Sequence, residues 1–198
     1  MDGQTGGISH MRILLSKEDM KTCDQNTIEG FGVPSCVLME RAALACVDEL
    51  YRSGAALDRV LVICGSGNNG GDGFAIARLL FLDQVPVSIW FVGKEQSCTD
   101  QTRHQKEICE KYGITFCSNP EINEYTVIVD GIFGVGLSRE IIGNYKEIID
   151  HMNEAPAYKA AVDIPSGIHG DTGAVLGTAF EADLTVTFAY KKRLSSNR

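Results

Sequence analysis

The chain has 198 residues, 44% of them hydrophobic, and a formal net charge of −8. That length and apolar content suit one domain with a full α/β core. The acidic balance argues against nucleic acid or a membrane surface as partner, because both present negative charge. No apolar run approaches the roughly 18 residues that a bilayer span needs. The start also lacks a charged segment followed by an apolar signal stretch, so a cytoplasmic protein is expected.

Seven cysteines (Cys23, Cys36, Cys46, Cys64, Cys98, Cys109, Cys117) are scattered with no Cys-x-x-Cys pair. This disfavours both a disulfide scaffold and a zinc site, and it predicts mostly buried thiols. Residues 1–10 are polar, glycine-rich and aperiodic, and they read as a leader joined at Ser9-His10-Met11. The domain is expected over residues 11–193, with a tail over 194–198.

In chain order, Ser16-Lys-Glu-Asp19 reads as a capping box, with Met20, Cys23 and Thr27 on one face of a helix ending near Gly30. Gly32-Val-Pro34 breaks the chain, and residues 37–50 are rich in helix formers. Glu40 and Arg41 interrupt that apolar stretch, which suggests a pair held against the sheet or a partner, or else an ordinary solvated pair. Residues 60–63 form a short run of aliphatics, as in a strand buried on both faces, and Gly65-Ser-Gly-Asn-Asn-Gly-Gly-Asp-Gly73 reads as a glycine loop. Helical spacing resumes at Phe74.

Residues 87–92 read as the next strand, 99–112 as a charged helix and 114–116 as a short strand. After the break at Asn119-Pro120, residues 126–129 form a buried strand ending in Asp130-Gly. Ile141, Ile142, Tyr145, Ile148, Ile149 and Met152 then recur with helical spacing. Residues 158–162 and 184–188 complete the strands. This alternation predicts a Rossmann-like three-layer α/β/α sandwich with a mostly parallel central sheet. The glycine loop, Asp130 and Asp163 each follow a strand, so all three are expected along the edge where such sheets bind ligands.

Gly65-Ser-Gly67-Asn-Asn-Gly70 matches the dinucleotide fingerprint, which keeps an NAD(P)-dependent oxidoreductase as an alternative. The acidic residue that would end the following strand is missing, since that strand closes with Val92-Gly-Lys94. Asp72 would also set a carboxylate close to a pyrophosphate. No Gly-Lys-Ser/Thr follows the glycines and no Gly-x-Ser-x-Gly is present, which removes support for phosphoryl transfer and serine hydrolysis. Asn68, Asn69, Asp72, Asp130, Asp163 and Ser166 remain, a set of oxygens suited to a hard cation.

Three stretches, Asn68-Asn-Gly-Gly-Asp-Gly73, Val129-Asp-Gly-Ile-Phe-Gly-Val-Gly-Leu-Ser-Arg139 and Val162-Asp-Ile-Pro-Ser-Gly-Ile-His-Gly-Asp-Thr-Gly173, together resemble the NAD(P)H-hydrate epimerase family, the YjeF N-terminal domain. Val37-Leu-Met-Glu-Arg-Ala42 extends the likeness upstream, so that it covers residues 16–192.

The resemblance implies interconversion of the R and S forms of NADHX and NADPHX at the hydroxyl-bearing carbon of the reduced nicotinamide ring. It implies K+ as cofactor, with Asn69, Asp130 and Ser166 matching its ligands. Asn68, Asn69, Gly70, Gly71 and Asp72 match substrate contacts, as do Gly134, Val135, Gly136, Leu137, Ser138, Arg139, Glu140 and Asp163. Asp163 is the expected general acid/base, a strand-end carboxylate in a desolvated cleft.

The resemblance also implies a homodimer, with the second helix as a candidate interface, and fusion to or cooperation with an ADP-dependent dehydratase. Lys192 matches a lysine that follows the last strand in relatives, whereas Lys191 and Leu194 depart from the family pattern. Some domains of this kind are non-catalytic scaffolds, which is the other alternative. His169 and Asp171-Thr-Gly173 read most simply as loop and turn residues.

Overall fold

The structure is a computed structural model that describes residues 17–187. The Ser16 cap, residues 1–10, Phe188, Lys192 and the tail 194–198 lie outside the described residues. Six parallel strands form one sheet in the order β3-β2-β1-β4-β5-β6. They are β1 (Val60–Cys64), β2 (Val87–Phe91), β3 (Thr115–Cys117), β4 (Val127–Gly131), β5 (Tyr158–Val162) and β6 (Leu184–Val186). The chain first builds outward through β2 and β3, then returns to lay β4 on the other side of β1. The switch point therefore lies between β1 and β4.

Alternation along β1 serves two cores. Val60, Val62 and Cys64 pack under α2 (Ser35–Ser53), α3 (Asn68–Leu82) and α4 (Asp100–Lys111). Leu61 and Ile63 face α5 (Asn144–Glu154) and Phe180. This is the three-layer arrangement expected, and every strand pairing is parallel. No helix among the described residues is long and apolar enough to cross a membrane.

Several boundaries differ from the sequence expectation. The first helix, α1 (Lys17–Gln25), passes into a wider turn, Asn26–Gly30, closed by Phe31 N donating to Asn26 O five residues back at 3.2 Å. The glycine stretch is not a loop as far as Gly73. Its residues from Asn68 onward are already helical, forming the first turns of α3. Packing overrides the poor helix propensity of glycine there.

The helix expected from Ile141 starts instead at Asn144, because Gly143 takes φ +61 and cannot continue a right-handed turn. Ile141 is buried while Ile142 is 73% exposed. Glu40 pairs with Arg78 of α3, not with Arg41. Cys46, Cys64, Cys98 and Cys109 are buried, whereas Cys23 and Cys36 are exposed.

Candidate functional site

The site begins at the exit of β1. Gly65 N donates to Gly131 O at 3.0 Å, which ties the ends of β1 and β4 together. Gly67 is extended and caps α3, and Gly70 N donates back to Gly67 O at 2.8 Å. A Cβ on Gly70 would stand 1.9 Å from Gly65 O, so only glycine allows this turn.

Hydrogen bonds to the backbone after β2 and to side chains at the start of α4 buttress the turn. Ser66 Oγ accepts from Lys94 N at 2.7 Å, Thr102 Oγ1 donates to Gly67 O at 2.8 Å, and Thr99 Oγ1 donates to Asn68 Oδ1 at 2.7 Å. Thr99 also caps α4 by accepting from Thr102 N. Sequence reasoning missed all three, because they gain meaning only when the start of α4 is placed beside α3.

Asn69, on the next position of α3, is 8% exposed. Its Nδ2 has no hydrogen-bond partner among the described residues. Its Oδ1 lies 3.1 Å, and Asp163 Oδ2 lies 3.2 Å, from the point where a Cβ on Gly134 would sit. Any side chain at position 134 would fill the space between the amide and the carboxylate.

Asp130, the penultimate residue of β4, and Ser166 are both fully buried. Asp130 Oδ1 accepts from Ser166 Oγ at 2.7 Å and from Ile132 N at 3.1 Å, and Oδ2 accepts from Ser166 N at 2.7 Å. Ser166 Oγ in turn accepts from Phe133 N at 2.9 Å. Burial pushes the Asp130 carboxyl up to about 6, against the pull of its bonds to Ser166 and Ile132. Among the described residues no lysine, arginine or histidine is ion-paired with it. A buried carboxylate without a cationic partner is the setting a bound cation would stabilise. No three His, Cys, Asp or Glu side chains among the described residues are grouped to hold a metal. The oxygens gathered here are carboxylate, amide and hydroxyl, which suit a hard cation rather than a transition metal.

Asp163 leaves β5 with φ +66, a left-handed conformation that non-glycine residues seldom take. Three backbone-directed bonds hold it there. Its N donates to Val186 O at 2.8 Å, its carbonyl accepts from Thr187 Oγ1 at 2.8 Å, and its Oδ2 accepts from Val135 N at 3.3 Å. β6 thus turns the Asp163 carboxylate toward the loop that follows β4.

Asp72, one turn into α3, faces the same region. Burial, then the charge of Asp163, then that of Asp24 hold its carboxyl well above the ordinary carboxylate range. Asp24 comes from α1, and the Asp163 charge raises its carboxyl as well, after burial. Nothing in the sequence marked Asp24, since α1 carries no motif and reaches the sheet edge only through tertiary packing.

The structure therefore gathers Asn69, Asp72, Asp130, Gly134, Val135, Asp163 and Ser166 at the switch point. Most of the other expected contacts are exposed. The Asn68 side chain is exposed and held by Thr99. Leu137 packs into the α5-side core, and Gly136, Ser138, Arg139 and Glu140 are exposed. Arg139 and Glu140 line a cleft of about 170 Å3 with Phe133, Leu137 and Tyr145. Gly71 faces away from the sheet, toward Met39 and Thr102. His169 Nδ1 accepts from Asp171 N at 3.2 Å and Thr172 N at 3.4 Å, so its role here is to shape its own loop.

An all-parallel doubly wound sheet with carboxyl, amide and hydroxyl oxygens at its switch point is the form of a Rossmann-like domain that takes a small molecule. The chain belongs to the family described as YjeF-related protein N-terminus, which matches residues 35–194. It is similar to the NAD(P)H-hydrate epimerase of Oenococcus oeni, with 47% identity over 91% of this chain and 87% of the relative. It is also similar to the NAD(P)H-hydrate epimerase of Limosilactobacillus fermentum, with 44% identity over 90% and 86%. Among solved structures, yeast ynu0 shares the fold with a TM-score of 0.75 at 22% identity, covering 87% of this chain and 79% of that one.

Proposed function

We infer that the chain is an NAD(P)H-hydrate epimerase, an isomerase that interconverts the R and S forms of hydrated NADH and NADPH. The observation that carries this reading is the likeness, near 45% identity over nine-tenths of the chain, to relatives that bear that name. The chemistry of the cleft is compatible with it. Inversion requires the ring C–O bond to break and water to add to the opposite face, with the ring nitrogen lone pair forming an iminium in between. The departing hydroxyl needs a proton, and the returning water must give one up.

Asp163 is the general acid/base for that oxygen in this reading. Its carboxylate is aimed by Val135 N and fixed by a strained backbone. Asp72, whose carboxyl burial and its acidic neighbours hold well above the ordinary carboxylate range, is the partner that exchanges the second proton. Gly134 leaves room for the ring between Asn69 and Asp163. Asn69, Asp130 and Ser166 are the residues that would hold K+. When bound, the ion supplies positive charge that orients polar groups of the substrate and offsets the buried Asp130 carboxylate.

The test is to mix the protein with a sample of both NADHX epimers and a dehydratase specific for one. Full consumption is expected, and a halt at the initial fraction overturns the reading in favour of a non-catalytic scaffold. Asp163→Asn should slow full consumption by about 100-fold or more, and near-normal interconversion would remove Asp163 from the acid/base role. A dehydratase, fused or separate, that consumes one epimer belongs to the same proposal. A homodimer is part of the same proposal. Val37, Leu44 and Tyr51 are 43%, 46% and 47% exposed at seven-residue spacing along α2, and a gel-filtration mass of one chain would rule the homodimer out.

A further inference from the structure

Thr99 stands where the start of α4 meets the first turn of α3, and it is tied to both. Its N donates to Ser66 O at 3.1 Å, and its Oγ1 accepts from Thr102 N at 3.2 Å. Thr102 is fully buried and donates its hydroxyl proton to Gly67 O at 2.8 Å. The two threonine oxygens lie 2.8 Å apart, so the Thr102 proton also lies within reach of Thr99 Oγ1. Thr99 is thus an acceptor toward α4, and its own proton is left for Asn68 Oδ1, 2.7 Å away.

An exposed asparagine amide can present either its oxygen or its nitrogen, and water favours neither strongly. The Thr99 hydroxyl proton decides between them at Asn68, because only the oxygen end has a lone pair to accept it. With Oδ1 turned toward α4, Nδ2 occupies the other branch of the amide, and no hydrogen bond engages it among the described residues. Asn68 is exposed and directly precedes Asn69 at the switch point, so its two N–H groups are open to a ligand there.

We propose that Thr99 is a positioning residue, which holds the Asn68 amide so that Nδ2 donates to an acceptor oxygen of the substrate. Thr99 touches no substrate itself. The proposal rests on the epimerase reading, in which the substrate lies along the first turn of α3. Because Thr99 also caps α4, three substitutions are needed to separate its two tasks. Aspartate caps a helix but has no proton to give Asn68, valine does neither, and serine does both.

The full-length variants Thr99→Asp, Thr99→Val and Thr99→Ser are compared by thermal unfolding, by KM and kcat in the assay coupled to the dehydratase, and by the Asn68 side-chain N–H signals of isotope-labelled protein. Thr99→Val should lower Tm by about 2–4 °C through the lost cap, and Thr99→Asp should not. Both should raise KM about fivefold or more with kcat within about twofold, the mark of a lost binding contact. Thr99→Ser should keep the parent KM. A lost cap does not account for the aspartate variant, and an added charge does not account for the valine variant.

In Thr99→Asp the amide should turn to donate to the new carboxylate, moving one Asn68 N–H signal downfield. A parent-like KM in Thr99→Asp or Thr99→Val, or Asn68 signals alike in the parent and Thr99→Asp, would each overturn the proposal. If the parent itself does not interconvert the epimers, the epimerase reading falls on that result alone, and the Asn68 signals still decide whether Thr99 sets the amide.

Discussion

Asp72 carries the clearest conflict between stability and chemistry in this molecule. Its carboxyl is raised first by burial and then by Asp163 and Asp24. A carboxyl raised in the folded state favours folding while it is protonated, and that contribution is lost as pH climbs through the folded value. At neutral pH Asp72 therefore costs stability. Asp72→Asn should stabilise the free protein by about 1 kcal/mol at pH 7 and flatten the fall in Tm between acidic and neutral pH, measured by thermal unfolding in a pH series. The same variant should lose epimerase activity by about 100-fold or more, because an amide stores no titratable proton.

Asp72, Asp130 and Asp163 drew attention in the sequence because each follows a strand or its glycine turn, and strand ends in such sheets converge. The φ of +66 at Asp163 could not be read there, since the bonds that hold it come from Val186 at the end of β6 and from Thr187, 24 residues further along the chain.

At the scale of elements, α3 shows propensity yielding to packing. Its first six residues hold three glycines, and by local preference they read as loop. Their lack of side chains lets the helix start lie on the β1 exit. Gly70→Ala should destabilise the protein by about 3 kcal/mol or more, because the added methyl meets backbone oxygen and not a movable side chain. Denaturant unfolding would measure it.

The Glu40–Arg78 pair joins α2 to α3, with the Arg78 side chain 11% exposed and the Glu40 side chain 37%. Arg78 Nε has no partner of its own among the described residues. Glu40→Gln should cost about 1–2 kcal/mol by leaving a largely buried guanidinium without its counter-charge. A double-mutant cycle with Arg78→Met should show strong coupling. The sequence flagged Glu40 as out of place in an apolar stretch but suggested Arg41 as its mate, since a partner thirty-eight residues away leaves no local trace. The α5 start was misread for a related reason: Ile141 and Ile142 keep the helical spacing, but Gly143 breaks the backbone.

Across the whole molecule, Asn69, Asp130 and Ser166 come from three separate places, α3, β4 and the loop after β5. A cation held by all three would clasp the switch point. Exchanging K+ for Li+ at constant ionic strength should lower Tm, with a stabilisation of about 2.7 kcal/mol lost if the starting potassium is a hundred times its Kd. Asp130→Asn should abolish the difference between the two ions. An unchanged Tm in Li+ would count against a cation at these residues.

The alternation of apolar runs with helical periodicity settled the layered parallel sheet from sequence alone, because burial on both faces demands continuous aliphatic strands and one-faced helices. The spacing of the three motifs likewise placed them along one edge of the sheet, since each follows a strand and parallel strands end on the same side. Only the tertiary structure decided which charges meet. The approach of α1's Asp24 to Asp72, the pairing of Glu40 with Arg78 and the burial of Asp130 against Ser166 all join residues distant in the chain. Electrostatic and hydrogen-bond energies depend on separation and burial, and neither quantity is written in the order of residues.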